Sequence, residues 1–231
     1  MRVLVAEAGG ELGRAVAAQL LARGPEVVDD GYDVVIDVGE ARLLGAAEQT
    51  GARYLLASTT LIYGDGGEEE IEAAEPIIDP APSLEAAVDA ELEVFSSGVR
   101  FLVLRQGILF GPRSEAAREL VDVVAAGAMP AAPAWLPLLH PDDFAQIAVR
   151  ALERDLNGLY DAVSDTVRLD ELVREAARRM GAPDPPPAAE VGNPNLWLVS
   201  RRVTPRALAK VGLEPGWSWR QMLDAALAAT P

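Results

Sequence analysis

Short apolar runs alternate with amphipathic segments along the first half of this chain. Four apolar runs have the length of buried strands, at residues 2–6, 33–38, 53–57 and 100–104. Four segments carry apolar residues at helical spacing, at residues 11–23, 41–50, 84–95 and 114–125. Strands and helices that alternate at this spacing predict an α/β fold, a mainly parallel sheet with helices on both faces.

From Gly127 the chain becomes richer in proline but still contains periodic segments. Good amphipathic helices are predicted at 141–152 and 169–180, a strand at 158–163, and two short helices near 205–211 and 218–228. The proline-rich stretch 181–195 has no periodicity and is predicted to be a loop. These elements predict a smaller lobe after the first sheet.

Composition limits the classes of partner. The 231 residues are 50% hydrophobic and include no cysteine, so a buried core is expected without disulfides or thiolate zinc sites. The net charge of −16 opposes binding to nucleic acid or to anionic membranes. With no targeting segment or membrane span in the pattern, the expected location is cytoplasmic. The acidic run 68–70, continued by Glu72 and Glu75, is interpreted as a solvated face, so no metal site is expected.

Candidate chemistry begins at residues 5–13 (Val-Ala-Glu-Ala-Gly-Gly-Glu-Leu-Gly), between a predicted strand and a predicted helix. Glycines at such a turn let the backbone approach a pyrophosphate at the helix N-terminus. Gly10 and Gly13 fit this pattern, but its first glycine is replaced by Glu7 or Ala8, depending on the register. A carboxylate at position 7 would oppose phosphate binding, so a dinucleotide site and an ordinary strand-to-helix turn both remain open.

Four further motifs follow in order along the chain. They are 57–64 (Ala-Ser-Thr-Thr-Leu-Ile-Tyr-Gly), 104–112 (Leu-Arg-Gln-Gly-Ile-Leu-Phe-Gly-Pro), 140–143 (His-Pro-Asp-Asp) and 207–215 (Ala-Leu-Ala-Lys-Val-Gly-Leu-Glu-Pro). Together with the glycine turn they resemble the extended short-chain dehydrogenase/reductases, specifically the NAD-dependent epimerase/dehydratase family. The resemblance covers nearly the whole chain. It implies a Rossmann-like core over residues 1–126, with 127–231 supplying the rest of the core and a small C-terminal α/β lobe in one structural unit.

The resemblance assigns roles to individual residues. It implies cofactor contacts from Gly10, Leu12, Gly13 and Ser58, and a substrate hydrogen bond from Thr59. The family's catalytic tyrosine and lysine fall on two other positions, Ser83 and Ala87, when Pro82 and the pair 90–91 (Ala-Glu) are aligned with the family pattern. Serine is a poor acid at neutral pH, and alanine can neither tune a neighbour's pKa nor hold a ribose. The usual proton-transfer groups are therefore missing.

A deletion is the second departure from the family. Residues 26–33 run almost directly from the first helix to the strand that comes fourth in the family. The stretch from Asp30 to Asp33 spans at most about 13 Å, too little to return from the top of a full-length strand to the bottom of a parallel one. We expect a sheet truncated on its adenine-binding side, and we interpret Asp29, at ribose-acid spacing from Gly10, as part of a solvated turn.

Other residues allow two interpretations each. Tyr63 could replace the missing tyrosine, although the family has a packing tyrosine there. His140, the only histidine, is interpreted as a helix-cap residue rather than a base. Two acids one turn apart, Glu85 and Asp89, could act as a carboxylate pair or simply face solvent. Three tryptophans could line a pocket or cover a small core: Trp197, Trp217 and Trp219.

Three functions remain possible on the sequence. The preferred one is a relative that has lost the tyrosine/lysine redox chemistry, binds NAD(P) weakly or not at all, and instead binds a small-molecule ligand or a protein. The second is an active NAD(P)-dependent sugar-nucleotide epimerase or reductase with Tyr63 and Thr59 as catalytic residues. The third is a cofactor-independent lyase or isomerase that uses acids near Glu85. The resemblance also implies a possible homodimer through helices 41–50 and 84–97.

Overall fold

The computed structural model describes residues 1–38, 43–73, 78–186 and 196–229. Its strands are β1 (Arg2–Val5), β2 (Glu26–Val27), β3 (Val34–Asp37), β4 (Arg53–Thr59), β5 (Glu70–Ile71), β6 (Phe101–Gln106), β7 (Ile108–Leu109), β8 (Trp135–Leu139), β9 (Gly158–Ala162), β10 (Asp165–Arg168) and β11 (Arg202–Val203). Six of them form a parallel sheet in the order β2-β1-β3-β4-β6-β9.

Helices cover both faces of this sheet. The described helices are α1 (Glu11–Arg23), α2 (Leu44–Thr50), α3 (Glu85–Ser96), α4 (Glu115–Ala125), α5 (Pro141–Glu153), α6 (Leu169–Met180), α7 (Arg206–Lys210) and α8 (Trp219–Ala229), of which α4, α6 and α8 lie in the C-terminal lobe. One face packs against the apolar sides of α1 and α5, and the other against α2 and α3. The predicted Rossmann-like architecture is confirmed.

The sheet is truncated beside β1, as the deletion predicts. β2 has two residues and pairs with Arg2 and Val3, while β3 begins opposite Val3 on the other side of β1. Because both neighbours lie at the same level of β1, the connection does not have to climb back along a full strand. It crosses beside Arg2, whose amide donates to Asp33 Oδ2 at 2.8 Å. Asp29 is exposed in this bend.

A second core lies in the C-terminal lobe. Here β8 pairs with β7 and β10, and buried residues of α4, α6 and α8 pack together against that small sheet. β9 and α5 return to the main sheet, so the second half of the chain contributes to both cores. α4, which the sequence division grouped with the first unit, packs in the lobe. β7, β8 and β10 were missed because they are short and because Pro137 interrupts the pattern of β8.

The outer face of α3 carries exposed apolar residues. Leu92 is 55% exposed and Phe95 is 40% exposed. The partner segment 41–50 is described only from residue 43 onward, and dimerisation through these helices stays a prediction. Within the described ranges, every helix is too short or too polar to cross a bilayer.

Candidate functional site

The turn after β1 keeps the tight backbone of a dinucleotide loop. Glu7 has φ of +52°, a left-handed conformation that favours glycine, and its carbonyl oxygen accepts from the Gly10 amide at 2.8 Å. A Cβ atom on Gly13 would lie 2.3 Å from that oxygen, so the close approach requires glycine. Gly10 caps α1 without a side-chain hydrogen bond, which leaves first-turn amides uncapped by side chains. This backbone therefore fits an anion at the N-terminus of α1.

Leu12 contributes to this turn through its backbone, because its side chain is buried in the main core. The carboxyl group of Glu11 lies beside the turn, where burial raises its pKa against the lowering effect of Arg14, Arg118 and Arg113. The turn thus offers backbone donors to an anion, but it also carries acidic side chains at positions 7 and 11.

A cavity of about 200 Å³ opens at the carboxyl end of β4. It brings Thr59, Ser83 and Ala87 together, as the motif alignment predicts for the family's catalytic positions. The described residues that line it are Val38, Leu56, Ala57, Ser58, Thr59, Ser83, Ala86, Ala87, Ala90 and Gln106. None of these lining residues is ionisable, so none could exchange a proton with a ligand near neutral pH.

Thr59 and Ser58 offer this cavity different groups. The Thr59 oxygen accepts from the Leu61 amide at 3.2 Å, so its hydroxyl proton can still be donated to a ligand. The Ser58 hydroxyl donates to Glu91 Oε1 at 2.5 Å and is committed to that contact. Of the two, Thr59 is the better placed to bind a ligand through its side chain.

Behind the cavity lies a buried polar network that the sequence pattern did not indicate. The Arg105 guanidinium donates to both oxygens of Glu91, at 2.9 Å (Nε to Oε1) and 2.6 Å (Nη2 to Oε2). Arg105 also donates to the Tyr63 hydroxyl at 2.8 Å, and that hydroxyl donates to Asp161 Oδ1 at 2.7 Å. These four side chains cross-link α3 to the strands β6 and β9.

The network shifts the pKa values of three of its members. Burial and the Asp161 charge raise the pKa of Tyr63, although Arg105 opposes this. Burial alone would lower the pKa of Arg105, but hydrogen bonds to Glu91 outweigh it and the pKa is raised. Burial raises the pKa of Asp161 to about 6. Tyr63 is fully buried and does not line the Thr59 cavity, so its position favours the packing role over the catalytic one.

A second cleft, of about 440 Å³, adjoins the first at Thr59 and Gln106. It lies between the carboxyl end of β6 and the lobe. Three glutamates line it: Glu11, Glu115 and Glu119. Trp197 also lines it, so one of the three candidate tryptophans does border a pocket. Sequence analysis did not identify Glu115, Glu119 or Gln106 as site residues, because a local sequence pattern does not show which polar side chains face a cleft.

The remaining candidates have structural positions. His140 caps α5 by accepting from the Asp142 amide at 3.2 Å, and its ring stacks on Trp217 at 3.8 Å between centroids. Its cap position is the one predicted, and burial lowers its pKa, which favours the neutral ring. Trp219 is buried in the lobe core. Glu85 and Asp89 are both exposed on α3.

Three acids of the 68–72 run have side-chain partners: Glu68, Glu70 and Glu72. Glu68 Oε2 accepts from Trp135 Nε1 at 2.8 Å, and Glu70 pairs with Arg206 at 2.6 Å. Glu75 lies outside the described residues. Across the part of the chain that the structure describes, no group of three His, Asp or Glu side chains has metal-site geometry.

Comparison with known proteins gives one sequence relative and many structural ones. No protein-family model matches the chain. The chain is 30% identical over 208 residues to a 3-diazoavenalumate denitrifying reductase from Streptomyces, covering 80% of this chain and 68% of the relative. A dTDP-4-dehydrorhamnose reductase from Clostridium acetobutylicum has a TM-score of 0.82 at 16% identity, with 99% of both chains covered. The Thermus thermophilus UDP-glucose 4-epimerase in complex with NAD has a TM-score of 0.78 at 20% identity, with 99% and 98% covered.

These similarities agree with the geometry on several counts. The strand order, the glycine turn and the meeting of Thr59, Ser83 and Ala87 are all features expected from the resemblance. The relative at 30% identity is itself a reductase. The chain belongs to the extended short-chain dehydrogenase/reductase superfamily, and within it to the NAD-dependent epimerase/dehydratase family.

Proposed function

We propose that this protein is a nicotinamide-dependent reductase that directs a hydride to its substrate without supplying a proton. The observation that carries the proposal is the cavity at Thr59, Ser83 and Ala87, whose described lining has no ionisable side chain. A reductase needs a proton donor when it reduces a carbonyl, because the oxygen becomes a hydroxyl. A reaction in which hydride replaces a leaving group needs none.

The cofactor would be held mainly by backbone. Uncapped amides in the first turn of α1, at Glu11 and Leu12, fit a pyrophosphate, and Gly13 permits the close packing behind them. Ala87 cannot hold a ribose, and the two-residue β2 leaves little sheet beside the adenosine half. A bound nicotinamide dinucleotide would supply the hydride. We therefore expect weaker cofactor binding than a family member with an intact lysine and full adenine-side sheet would have.

The name of the sequence relative suggests a matching reaction. It describes a reductase that removes nitrogen from a diazo compound. When hydride replaces a diazonium group, a C–H bond forms, the C–N bond breaks with its electron pair leaving on nitrogen, and N2 departs. The cation and the hydride donor give a neutral product, N2 and the oxidised cofactor, and no proton is consumed. Substrates of this chain would belong to the same class, in which hydride displaces a leaving group.

Thr59 would orient the substrate by donating its hydroxyl proton to an acceptor atom. Its oxygen already accepts from the Leu61 amide, which orients the side chain in the lining of the cavity. Replacement of Thr59 by valine should lower kcat/KM about fivefold to tenfold, since one neutral hydrogen bond contributes about 1 kcal/mol. Thr59→Ser keeps the hydroxyl and should retain most of the activity.

The test uses the full chain, NADH or NADPH, and a soluble aryl diazonium salt, with a protein-free control for the uncatalysed reaction. We expect N2 release matched to cofactor oxidation, and deuterium in the product from cofactor deuterated at C4 but not from D2O. Because no described residue that lines the cavity is ionisable, kcat/KM should be flat between about pH 6 and pH 9. Deuterium taken up from D2O at the reduced carbon would contradict the proposal.

A second candidate is a ligand-binding protein that has lost redox chemistry. The replacements Glu7, Ser83 and Ala87 and the shortened β2 favour it. Calorimetric titration with NADH and NADPH separates the two candidates. Absence of binding up to about millimolar concentration, near −4 kcal/mol, would favour this second function.

A further inference from the structure

The cleft beside the Thr59 cavity is acidic. Its described lining includes Glu11, Glu115 and Glu119 but no lysine, arginine or histidine. We propose that this cleft selects an organic cation as the substrate and excludes nucleoside diphosphates. The inference rests on the proposed function, since it names the substrate class for the same site.

Two of the three acids that line the cleft lie on α4. Neither Glu115 nor Glu119 has a hydrogen-bond or ion-pair partner among the described residues. Glu115 lies in the first turn of α4, where an acid also stabilises the helix dipole. Glu119, one turn further along, has no such explanation. The pair sits one helical turn apart on one side of the cleft, so their repulsion would be relieved by a bound positive charge.

Glu11 contributes less to this preference. Burial raises its pKa, and three arginines oppose its charge from outside the cleft lining: Arg14, Arg118 and Arg113. Both acids on α4 are more exposed than Glu11. A test of the proposal should therefore change Glu115 and Glu119 and leave Glu11 intact.

Two uncharged side chains also contribute to the proposed binding of a cation in this cleft. Trp197 lines the cleft at the edge of the lobe core and is 5% exposed, so a small part of an indole ring, a group that attracts cations, borders the opening. Gln106 lies at the junction of the cleft and the Thr59 cavity, and its buried Oε1 accepts no hydrogen bond from the described protein. An unmatched acceptor at that junction suits a donor group on the ligand. Acids, an aromatic ring and an acceptor together describe a site for a cation.

The charge preference has a consequence for turnover. Hydride addition converts the cation into a neutral product, which loses its attraction to Glu115 and Glu119. The neutral product should therefore bind the cleft more weakly than the cationic substrate does. A nucleoside diphosphate sugar, such as the substrate in the name of the UDP-glucose epimerase, would bring negative charge against the same acids.

The experiment compares ligands of one shape and different charge. Benzamidine is a cation and benzamide is its neutral counterpart; UDP serves as the anion. Calorimetry on the full chain without cofactor should give at least about tenfold tighter binding of benzamidine than of benzamide, and no UDP binding. The ratio should fall to about twofold in the double variant Glu115→Gln/Glu119→Gln, and it should narrow as salt is raised.

Asp122→Asn is the matched control. Asp122 lies exposed on α4 but does not line the cleft, so its replacement should leave the benzamidine/benzamide ratio unchanged. Three results would each overturn the proposal: equal affinity of the wild type for benzamidine and benzamide, measurable UDP binding, or no benzamidine binding up to about 10 mM. No hydride transfer occurs in these titrations. A chain that discriminates cations but fails the reductase assay would therefore refute the proposed reaction alone.

Discussion

Glu91→Gln should lower the free energy of unfolding by about 3–5 kcal/mol, because it leaves the Arg105 guanidinium buried without its counter-charge. Both side chains of this pair are almost fully buried, at 2% and 3% exposure, and are joined at 2.6 Å. The substitution keeps the shape of the side chain, so the cost is that of an uncompensated charge rather than of a cavity. Denaturant unfolding at pH 7.5, followed by circular dichroism, measures the change.

Glu93→Gln is the control for this prediction. Glu93 lies two residues further along α3 and is exposed, so its replacement should change stability by no more than about 0.5 kcal/mol. The double variant Glu91→Leu/Arg105→Met removes both charges and should be more stable than Glu91→Gln, although the Tyr63 hydroxyl then loses a donor. A Glu91→Gln protein as stable as the wild type would mean that solvent reaches Arg105.

Asp161→Asn should change how stability depends on pH. Burial raises the pKa of Asp161 to about 6, above the ordinary 3.8, so the protonated form is favoured in the folded protein. The stability from this group is fully present below the unfolded pKa and is lost as the pH rises through about 6. A shift of about two units corresponds to about 3 kcal/mol. Asparagine does not titrate but can still accept from Tyr63.

The measurement is the difference in unfolding free energy between Asp161→Asn and wild type. It should shift in favour of the variant by up to about 3 kcal/mol between pH 4 and pH 7.5. Other acids act in the opposite direction: arginine partners lower the pKa of Glu175 to about 2, and its contribution is lost as the pH falls. That contribution is common to both proteins and cancels. A difference independent of pH would show that Asp161 titrates normally.

Several features of the fold could be read from local pattern. Helix α1 begins and ends where the turn residues place it, at Glu11 and Arg23, and α6 spans the predicted 169–180. The truncated sheet edge followed from chain length alone, because residues 26–33 cannot hold two full strands. The short strands of the lobe could not be predicted, since two- to five-residue strands carry little periodicity and are defined by their pairing partners.

The same distinction between local sequence pattern and long-range packing applies to the candidate site. Motif order placed Thr59, Ser83 and Ala87 at one site, and the structure brings them to one cavity. The role of Tyr63 was not decided by sequence, because it depends on Arg105 and Asp161, which are 42 and 98 residues away. The acidity of the second cleft was equally hidden, since Glu11 and Glu119 meet only when α1 and α4 approach the same opening.

By itself the sequence determined the alternating architecture and the absence of cysteine, and it predicted the glycine turn and the placement of Ser83 and Ala87 at the family's tyrosine and lysine positions. These properties depend on residue identity and on spacing within a few turns or strands. Only the tertiary structure decided which polar groups are buried together, which acids face a cleft, and which hydroxyl a ligand can reach. Burial and charge proximity arise from packing between distant segments, and they set the pKa values and binding preferences from which function follows.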